Sequence, residues 1–255
     1  LAVTALDPTE EAHYGFTVGQ FYTLYLTPSQ QRPNLRGCLS QVPQPLEGTA
    51  AAVEYTILYH LPGGPDTGLD GELFRMGASG MLSKPGLDPP GCVTIGSIEL
   101  AKPDLQGSTC ATANAVGRDL ICGLNTRFGV DPTTNACNNI ESVTDLAALY
   151  QPDSDPGLSE TLLQDYATEY DGNQRRVLTL AVVDAADTLS VLNFRQFLIE
   201  NASNVMGLDP SGFTGAFRAQ YLGHPVPIRT ANLGGSCSVA AGVGRIVLHS
   251  TGVTQ

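Results

Sequence analysis

Two glycine-rich segments carry serines in surroundings that resemble those of a catalytic nucleophile. Gly77-Ala78-Ser79-Gly80-Met81 follows the G-x-S-x-G pattern of serine hydrolases except at its last position. Gly235-Ser236-Cys237 has the small residues of an exposed turn, but no base lies near it in the sequence. The chain has 28 glycines, so near-matches of this kind are expected by chance. We therefore predict no catalytic residue and no enzymatic activity.

A cluster of acidic residues has the chemistry of a calcium site. Asp153-Ser154-Asp155, with Glu169 and Asp171 downstream, supplies carboxylate oxygens of the kind that bind calcium. The spacing is not that of an EF-hand loop, and the same residues can provide turn and capping hydrogen bonds for a helix predicted over 156–170. Calcium binding therefore stays open here. The neighbouring Arg175-Arg176 is interpreted as a strand-edge charge pair or as a partner for nearby acids.

Patterns typical of other metal and cofactor sites are absent from the sequence. It has no H-E-x-x-H pair and no Walker A loop, and Gly242-Val243-Gly244 lacks the third glycine of a dinucleotide-binding turn. The histidines are scattered singly, at His13, His60, His224 and His249. We therefore predict no metal-binding residue, no cofactor-binding residue and no cofactor.

The cysteines indicate disulfide bonds. They are Cys38, Cys92, Cys110, Cys122, Cys137 and Cys237, and no C-x-x-C pair occurs among them. A chain with few lysines, many turns and an acidic balance has the character of an exported protein, so all six are disulfide candidates. We expect one bridge within Cys110–Cys137 and one between Cys38 and Cys92. The alternative is six buried thiols in a cytosolic protein.

The charge balance restricts the partners. The chain has 13 basic and 25 acidic residues, a formal net charge of −12, whereas nucleic acids and anionic membrane surfaces attract basic patches. No apolar run approaches the length that spans a bilayer. We predict no nucleic-acid partner and no membrane span in this chain. The sequence starts at Leu1 and shows no signal-peptide pattern. We therefore expect that a leader has been removed or that the sequence is an ectodomain. Asn201-Ala202-Ser203 is a sequon, which makes Asn201 a candidate glycosylation site.

The hydrophobic pattern predicts strands, then a helical middle, then strands again. Predicted strands cover 16–26, 53–61, 92–95, 177–183, 189–199, 213–221 and 243–253. Predicted helices cover 111–122, which Gly123 would end, the segment that follows Ser142 up to Tyr150, and 156–170. These elements indicate one β-rich α+β domain over 1–255, built as an antiparallel sheet or sandwich. It would carry an extended N-terminal segment, 1–26, and a helical insertion over about 100–170.

The C-terminal half resembles a known family. Two arginines and an apolar strand ending in aspartate occupy Asn173–Asp184; Leu189–Glu200 then contains V-L-x-F-x-x-F-L-x-E, and Gly212–Gly223 follows. This order, with Gly19–Leu24 earlier, is similar to TadE/TadG-like proteins, which are associated with bacterial surface pili. The resemblance implies an extracytoplasmic envelope or appendage protein. The family's N-terminal membrane helix and its D-x-S-x-S metal motif do not occur here, so no metal or catalytic residue is carried over.

The leading functional prediction is a structural subunit of an extracellular, pilus-like filament that assembles from copies of itself. Disulfides would stabilise a subunit exposed outside the cell. The strand over 16–26 would leave its own subunit and complete a neighbour's sheet by donor-strand addition; the alternative is an ordinary first strand. The residues predicted to contact the neighbouring subunit are Phe16, Val18, Tyr22, Leu24 and Leu26.

Two other functions remain as alternatives. A monomeric or membrane-tethered accessory protein of pilus assembly or of the envelope would not self-associate. A secreted hydrolase would need a cleft in which titratable groups converge. Each of these readings places the protein outside the cell or at its surface, with envelope or appendage proteins as further partners.

Overall fold

A computed structural model describes residues 1–26, 44–58, 83–84, 91–92, 95–96, 98, 110–129, 152–154, 172, 175–184, 189–201, 207–208 and 215–225. The strands within these ranges are β1 (Ala2–Thr4), β2 (Phe21–Leu26), β3 (Ala51–Thr56), β4 (Ser83–Lys84), β5 (Gly91–Cys92), β6 (Val177–Val183), β7 (Val191–Ile199) and β8 (Phe217–Pro225). Helix α1 (Cys110–Asn125) continues into a short 3-10 helix, Thr126–Phe128. No helix in the described ranges is long and apolar enough to cross a membrane.

Six strands close into a barrel in the order β1, β3, β2, β8, β7, β6. The pairs β1–β6 and β2–β3 are parallel, whereas the other neighbours in the barrel are antiparallel. β4 and β5 form a separate antiparallel pair. The β-rich prediction is confirmed. The antiparallel sheet or sandwich is not what the described strands form, because β1 lies between β3 and β6 and thereby closes the sheet on itself.

The barrel interior is filled by side chains of its own strands. Alternate residues of each strand belong to one buried cluster, because successive side chains of a strand point to opposite faces. Its members from the longer strands are Tyr22, Leu24, Leu26, Val53, Tyr55, Leu178, Leu180, Val182, Phe197, Ile199, Phe217, Ala219 and Tyr221. An eight-stranded barrel is just wide enough for side chains to fill it, so a six-stranded one is packed solid by such residues.

Strand β6 is buried on both faces, as its continuous apolar sequence predicts. Leu180 and Val182 face the barrel core. Ala181 and Val183 belong to a second apolar cluster, together with Phe194 of β7. The prediction of a central strand over 177–183 is therefore confirmed at both of its boundaries.

Two different parts of the chain close the two ends of the barrel. Residues 5–20, here called the strap, connect the end of β1 to the start of β2, and this end is the strap end. Helix α1 closes the opposite end, the helix end, where β2 finishes and β8 begins. A Cβ built on Gly215, just before β8, would lie 3.3 Å from Leu26 Cβ and 3.6 Å from Gly117 Cα in α1.

Several predicted elements are present with shifted boundaries. The strand over 16–26 begins at Phe21, because positive φ angles at Gly15 and Gly19 turn the chain before it. The strand over 53–61 is Ala51–Thr56, and the strand over 213–221 is Phe217–Pro225.

The helix predicted over 111–122 is present, but the prediction that Gly123 ends it is wrong. α1 continues to Asn125. Leu120, Ile121 and Leu124 are all buried in the core cluster, and their packing carries the helix past the glycine. The helices predicted up to Tyr150 and over 156–170, and the strand over 243–253, lie outside the described residues.

Candidate functional site at the strap end of the barrel

The strap holds its shape through its own hydrogen bonds. The Glu10 carboxylate accepts the backbone N–H groups of Ala12 at 2.8 Å, His13 at 3.0 Å and Gly15 at 3.1 Å. These bonds, chiefly that from Gly15, hold the pKa of Glu10 below its usual value. The Asp7 carboxylate similarly accepts the Thr9 hydroxyl at 2.6 Å, which lowers the pKa of Asp7.

A tight reversal at Tyr14 and Gly15 completes the strap. Tyr14 has φ +57° and Gly15 has φ +80°, a left-handed conformation that favours glycine. The Tyr14 carbonyl accepts the backbone N–H groups of both Leu6 and Asp7 at 3.0 Å. A Cβ on Gly15 would lie 2.8 Å from the Asp7 nitrogen. The reversal therefore requires glycine both for its φ angle and for space.

An aromatic wedge fastens the strap to the barrel mouth. The Phe16 ring centroid lies 5.2 Å from Tyr22, 5.4 Å from Phe197 and 5.2 Å from Tyr221. The pairs with Tyr22 and Phe197 are edge-to-face, and such pairs add about 0.5–1.5 kcal/mol each beyond the burial of the rings. Phe16 therefore fills a socket made by β2, β7 and β8.

Polar contacts fix the orientation of the strap on this socket. His13 Nδ1 lies 3.1 Å from the Tyr221 hydroxyl. Burial raises the pKa of Tyr221, and the Arg195 guanidinium opposes that rise only in part, so the hydroxyl keeps its proton at neutral pH. Arg195 also donates to the Ala12 carbonyl at 3.0 Å and lies 5.1 Å from the centre of the Tyr14 ring. His13, Tyr221 and Arg195 thus hold the strap on the barrel. Because a protonated phenol is a poor nucleophile, Tyr221 is not suited to nucleophilic catalysis.

Val18 is the exposed part of the strap that still touches the barrel. Its exposed fraction is 53%, yet a Cβ on Gly223 of β8 would overlap its Cγ2 atom. Gly223 has φ +67°. Glycine at 223 therefore allows Val18 to lie directly against the backbone of β8.

The helix end holds charged side chains in its interior. Arg176 is fully buried, and its backbone N–H donates to Asp153 Oδ2 at 2.9 Å while its Nη1 donates to the Ile199 carbonyl at 3.3 Å. Burial is the main reason that the pKa of Arg127 falls to about 9, and its guanidinium donates to the Arg175 carbonyl.

A buried ion pair continues this charged group toward β8. Arg218 Nε lies 2.5 Å from Glu200 Oε2. Burial raises the pKa of Glu200, although Arg218 favours its ionised form. Arg218 also donates to the Glu47 carbonyl at 2.8 Å, so its guanidinium bridges the end of β7 to the chain before β3.

The acidic segment proposed for calcium serves the helix end in its described part. The Asp153 carboxylate binds the backbone of Arg176, and its own N–H donates to the Arg127 carbonyl at 2.7 Å. Asp155, Glu169 and Asp171 lie outside the described residues. Among the residues that are described, no group of three or more potential ligands is placed to hold a metal ion. The contact of Asp153 with Arg176 is made by the arginine backbone, and the interpretation of the Arg176 charge as a partner for nearby acids stays a prediction.

The residues predicted to contact a neighbouring subunit divide sharply in this structure. Tyr22, Leu24 and Leu26 are buried inside the chain's own barrel, and Phe16 fills the socket of its own mouth. Only Val18 presents a large apolar surface to solvent. The pockets that the sequence pattern assigned to a neighbour are, for four of the five side chains, pockets of the same chain.

The candidate glycosylation site has a structural role. Asn201 is 8% exposed, and its Oδ1 accepts the backbone N–H of Gly207 at 2.6 Å. A glycan on Asn201 would require this side chain to leave its buried position. The structure therefore does not favour modification at this sequon.

Other predicted site residues fall largely outside the described ranges. These include both serine-containing turns, and Cys38, Cys137 and Cys237. Cys122, within α1, is disulfide-bonded and fully buried, and no cysteine in the described ranges is free. The pairings expected from the sequence stay predictions.

Sequence reasoning missed the residues that hold the strap. His13, Tyr14, Arg195 and Gly223 carry no recognisable motif, because they come from three separate elements and meet only when the barrel closes. One local signal was present: Tyr14-Gly15 lies after an acidic turn and before the first apolar alternation, a position typical of a chain reversal.

No family model, no curated protein and no solved structure matches this chain.

Proposed function

We propose that this protein is a structural subunit of an extracellular, pilus-like filament. The observation that carries the proposal is the disulfide bond of Cys122, in the helix that closes one end of the barrel. Disulfides form and persist in oxidising spaces outside the cytoplasm and are rare in the cytosol. The disulfide therefore supports an exported protein, in the surroundings that a surface appendage requires.

The packed barrel supports binding through the outer surface. Side chains of the strands fill the interior, so a partner of this barrel meets its wall or its ends. Large exposed apolar side chains in the described ranges are Leu6, Val18, Leu46, Ile95 and Ile98. Leu6 and Val18 belong to the strap, which places apolar surface at one end. The partner that we propose for this end is a second copy of the chain.

The resemblance of Asn173–Glu200 to TadE/TadG-like proteins supports the appendage part of the proposal. This segment contains all of β6 and β7, two neighbouring strands of the barrel. An accessory protein of the same envelope system is the alternative function, and it differs from the filament subunit in having no self-association.

The pairing of β2 bears on how subunits would join. β2 is bonded to β3 on one edge and to β8 on the other, both in its own chain. Donating β2 to a neighbour would break both sets of bonds and withdraw Leu24 and Leu26 from the core. We therefore favour an assembly in which β2 stays in its own barrel.

Electron microscopy and sedimentation of the purified protein, at neutral pH and without reductant, test the proposal. Uniform filaments are the expected result. The Val18→Asp variant should lose them, because it places a charge on the exposed part of the strap. Leu46→Asp is the matched control, since Leu46 is similarly exposed but lies outside the strap. Monodisperse particles of the unmodified protein would overturn the filament role and favour the accessory protein.

A further inference from the structure

We propose that residues 1–18, here called the arm, are the part of the chain that crosses between subunits. The arm of one copy would close the barrel of the next, while β2 stays in the barrel of its own chain. The turn at Gly19 and Gln20 would serve as the hinge. This inference rests on the proposed self-assembly and names the segment that carries it.

The arm is the most weakly paired part of the barrel wall. β1 is matched to β3 at two residue pairs and to β6 at three. β2 is matched to β3 at five pairs and to β8 at four. Releasing β1 therefore breaks roughly half as many strand contacts as releasing β2. Its release opens the wall between β3 and β6 and leaves the other five strands as one sheet.

Part of the arm's hydrogen bonding does not involve the barrel. The hydrogen bonds of Glu10 and Asp7, and those of the Tyr14 carbonyl, all lie within the arm. A segment that is ordered by its own contacts loses less conformational entropy when it docks on a partner. It can therefore leave one barrel and enter another as a preformed unit.

The proposed hinge contains a glycine, Gly19, which gives the backbone conformational freedom. Gly19 has φ +81°, and a Cβ built on it would meet nothing within 4 Å. Glycine accepts most backbone conformations. The Gly19 N–H donates to the Tyr221 carbonyl at 2.9 Å, so a change of direction at this point need not detach β2 from β8. Val18 lies against Gly223 on one side of Gly19, and Phe21 begins β2 on the other. A large backbone rotation would thus be confined to one or two residues.

The socket at the barrel mouth would accept the arm of a second copy. It binds the chain's own arm through Phe16, His13 and the Arg195 guanidinium. An identical segment from another copy offers the same rings and carbonyls, so no new contact has to be designed. Arg195 also faces an arm that carries Asp7, Glu10 and Glu11, which gives the pair complementary charge.

The direction of exchange decides the form of the assembly. Reciprocal exchange between two copies gives a closed dimer, whereas exchange passed from each copy to the next is open-ended and gives a filament. The contacts are the same inside one chain and between chains, so concentration and the conformation of the hinge set the balance.

Engineered cysteines at opposite positions of β1 and β6 test the proposal. Ala2 and Ala181 are partners in the parallel register, are fully buried, and belong to the same apolar cluster. Full-length Ala2→Cys and Ala181→Cys chains are co-expressed, assembled and examined on a gel without reductant. Because each chain carries one of the two cysteines, the 2–181 bridge joins two chains only if an arm crosses. The expected result is a loss of monomer in favour of covalent dimer.

A second pair distinguishes the arm from β2. Thr23 in β2 and Ala52 in β3 are also register partners. Co-expressed Thr23→Cys and Ala52→Cys chains should stay monomeric on the same gel, because β2 does not cross. Each cysteine variant expressed alone controls for adventitious bridges.

The outcomes separate this inference from the filament role. Filaments without a 2–181 dimer overturn arm exchange and leave the filament role standing. A 23–52 dimer in place of the 2–181 dimer overturns it in favour of β2 donation. If microscopy of the unmodified protein shows single particles and no 2–181 dimer forms, both the filament role and arm exchange are overturned.

Discussion

The two ends of the barrel are closed by different kinds of contact. At the strap end, the Glu10 carboxylate accepts backbone N–H groups of the strap itself, and the buried Arg195 guanidinium donates to a backbone carbonyl beside the aromatic rings of the mouth. At the helix end, Arg176 and Glu200 are taken into the interior, beside a disulfide-bonded helix. The pKa values record this difference, because hydrogen bonds lower that of Glu10 whereas burial raises that of Glu200.

This difference in where charged groups lie indicates which end of the barrel can open. A buried charge that loses its partner lowers the stability of the fold. The charged groups at the helix end therefore depend on each other and on that end staying closed. Among the described residues of the strap end, Asp7 is exposed, the Tyr221 hydroxyl is neutral, and the buried Arg195 guanidinium donates to backbone carbonyls. Detaching the strap exposes rings and one arginine, while the Glu10 hydrogen bonds remain within the strap. This difference supports our proposal that the exchanged segment lies at the strap end.

Placing a charge in the shared core should give the largest effect, since both ends depend on that core. Leu24 is fully buried in β2, midway along the barrel. Leu24→Asp should abolish folding, because an uncompensated buried carboxylate costs several kcal/mol, a large part of the total stability of a domain. Circular dichroism and a urea titration measure this outcome.

Val18→Asp is the matched control for Leu24→Asp. Val18 lies in the same predicted strand but is largely exposed, so its free energy of unfolding should change by about 0.5 kcal/mol or less. Similar losses for the two variants would contradict the placement of Val18 outside the barrel.

Removing a buried charge from the helix end should give the next largest effect. Arg176→Ala should lower the free energy of unfolding by about 4 kcal/mol, the usual cost of breaking a buried charged network by removing one member. Arg176→Met keeps much of the side-chain volume beside Phe128 and should cost clearly less. Urea titration of both variants measures the difference. Equal costs would show that the loss of the charge, which both variants share, and not the loss of packing destabilises this end.

Truncating the aromatic wedge should act on the strap end. Phe16→Ala should cost about 3 kcal/mol, the lower part of the range for such truncations. Amide hydrogen exchange should speed up first in residues 5–20 and leave β6 protected, because the wedge holds the strap and not the wall. Phe16→Leu, which keeps apolar volume, is the control. Uniform acceleration across the barrel would show that the strap does not open by itself.

How much of this could be foreseen from the sequence depends on how local each signal is. The strand over 177–183 was predicted at both boundaries, because a continuous β-branched run is the signal of a strand buried on both faces. β1 was missed, because three residues show no periodicity and their role as the closing strand depends on partners more than 50 residues away.

The candidate site was predictable only in its apolar members. Phe16 and Leu24 were recognised as residues that fill pockets, but the sequence could not show whose pockets they fill. Alternation predicts a buried face and not its partner. For Arg176, the sequence suggested a kind of partner, nearby acids, but not the position of the side chain. Nothing in the neighbouring sequence indicated its full burial, because tertiary structure alone decides it.

The smallest predicted effect is a pH response of opposite sign at the two ends. The pKa of Glu10 is lowered in the folded chain, so its contribution to stability is present above its ordinary value of 4.5 and is lost as the pH falls below it. The pKa of Glu200 is raised, so its contribution is present below 4.5 and declines as the pH rises through the folded value.

Two isosteric variants separate these contributions. Glu10→Gln should flatten the acid side of the stability curve and slow the acid-induced rise of hydrogen exchange in the strap, since glutamine keeps an acceptor oxygen but does not titrate in this range. Glu200→Gln should remove the decline above pH 4.5 and leave the strap unchanged. Urea titrations across pH 3 to 8, with hydrogen exchange in each end, measure both. If both variants altered the same limb of the curve, the two ends would not differ in where they keep their charge.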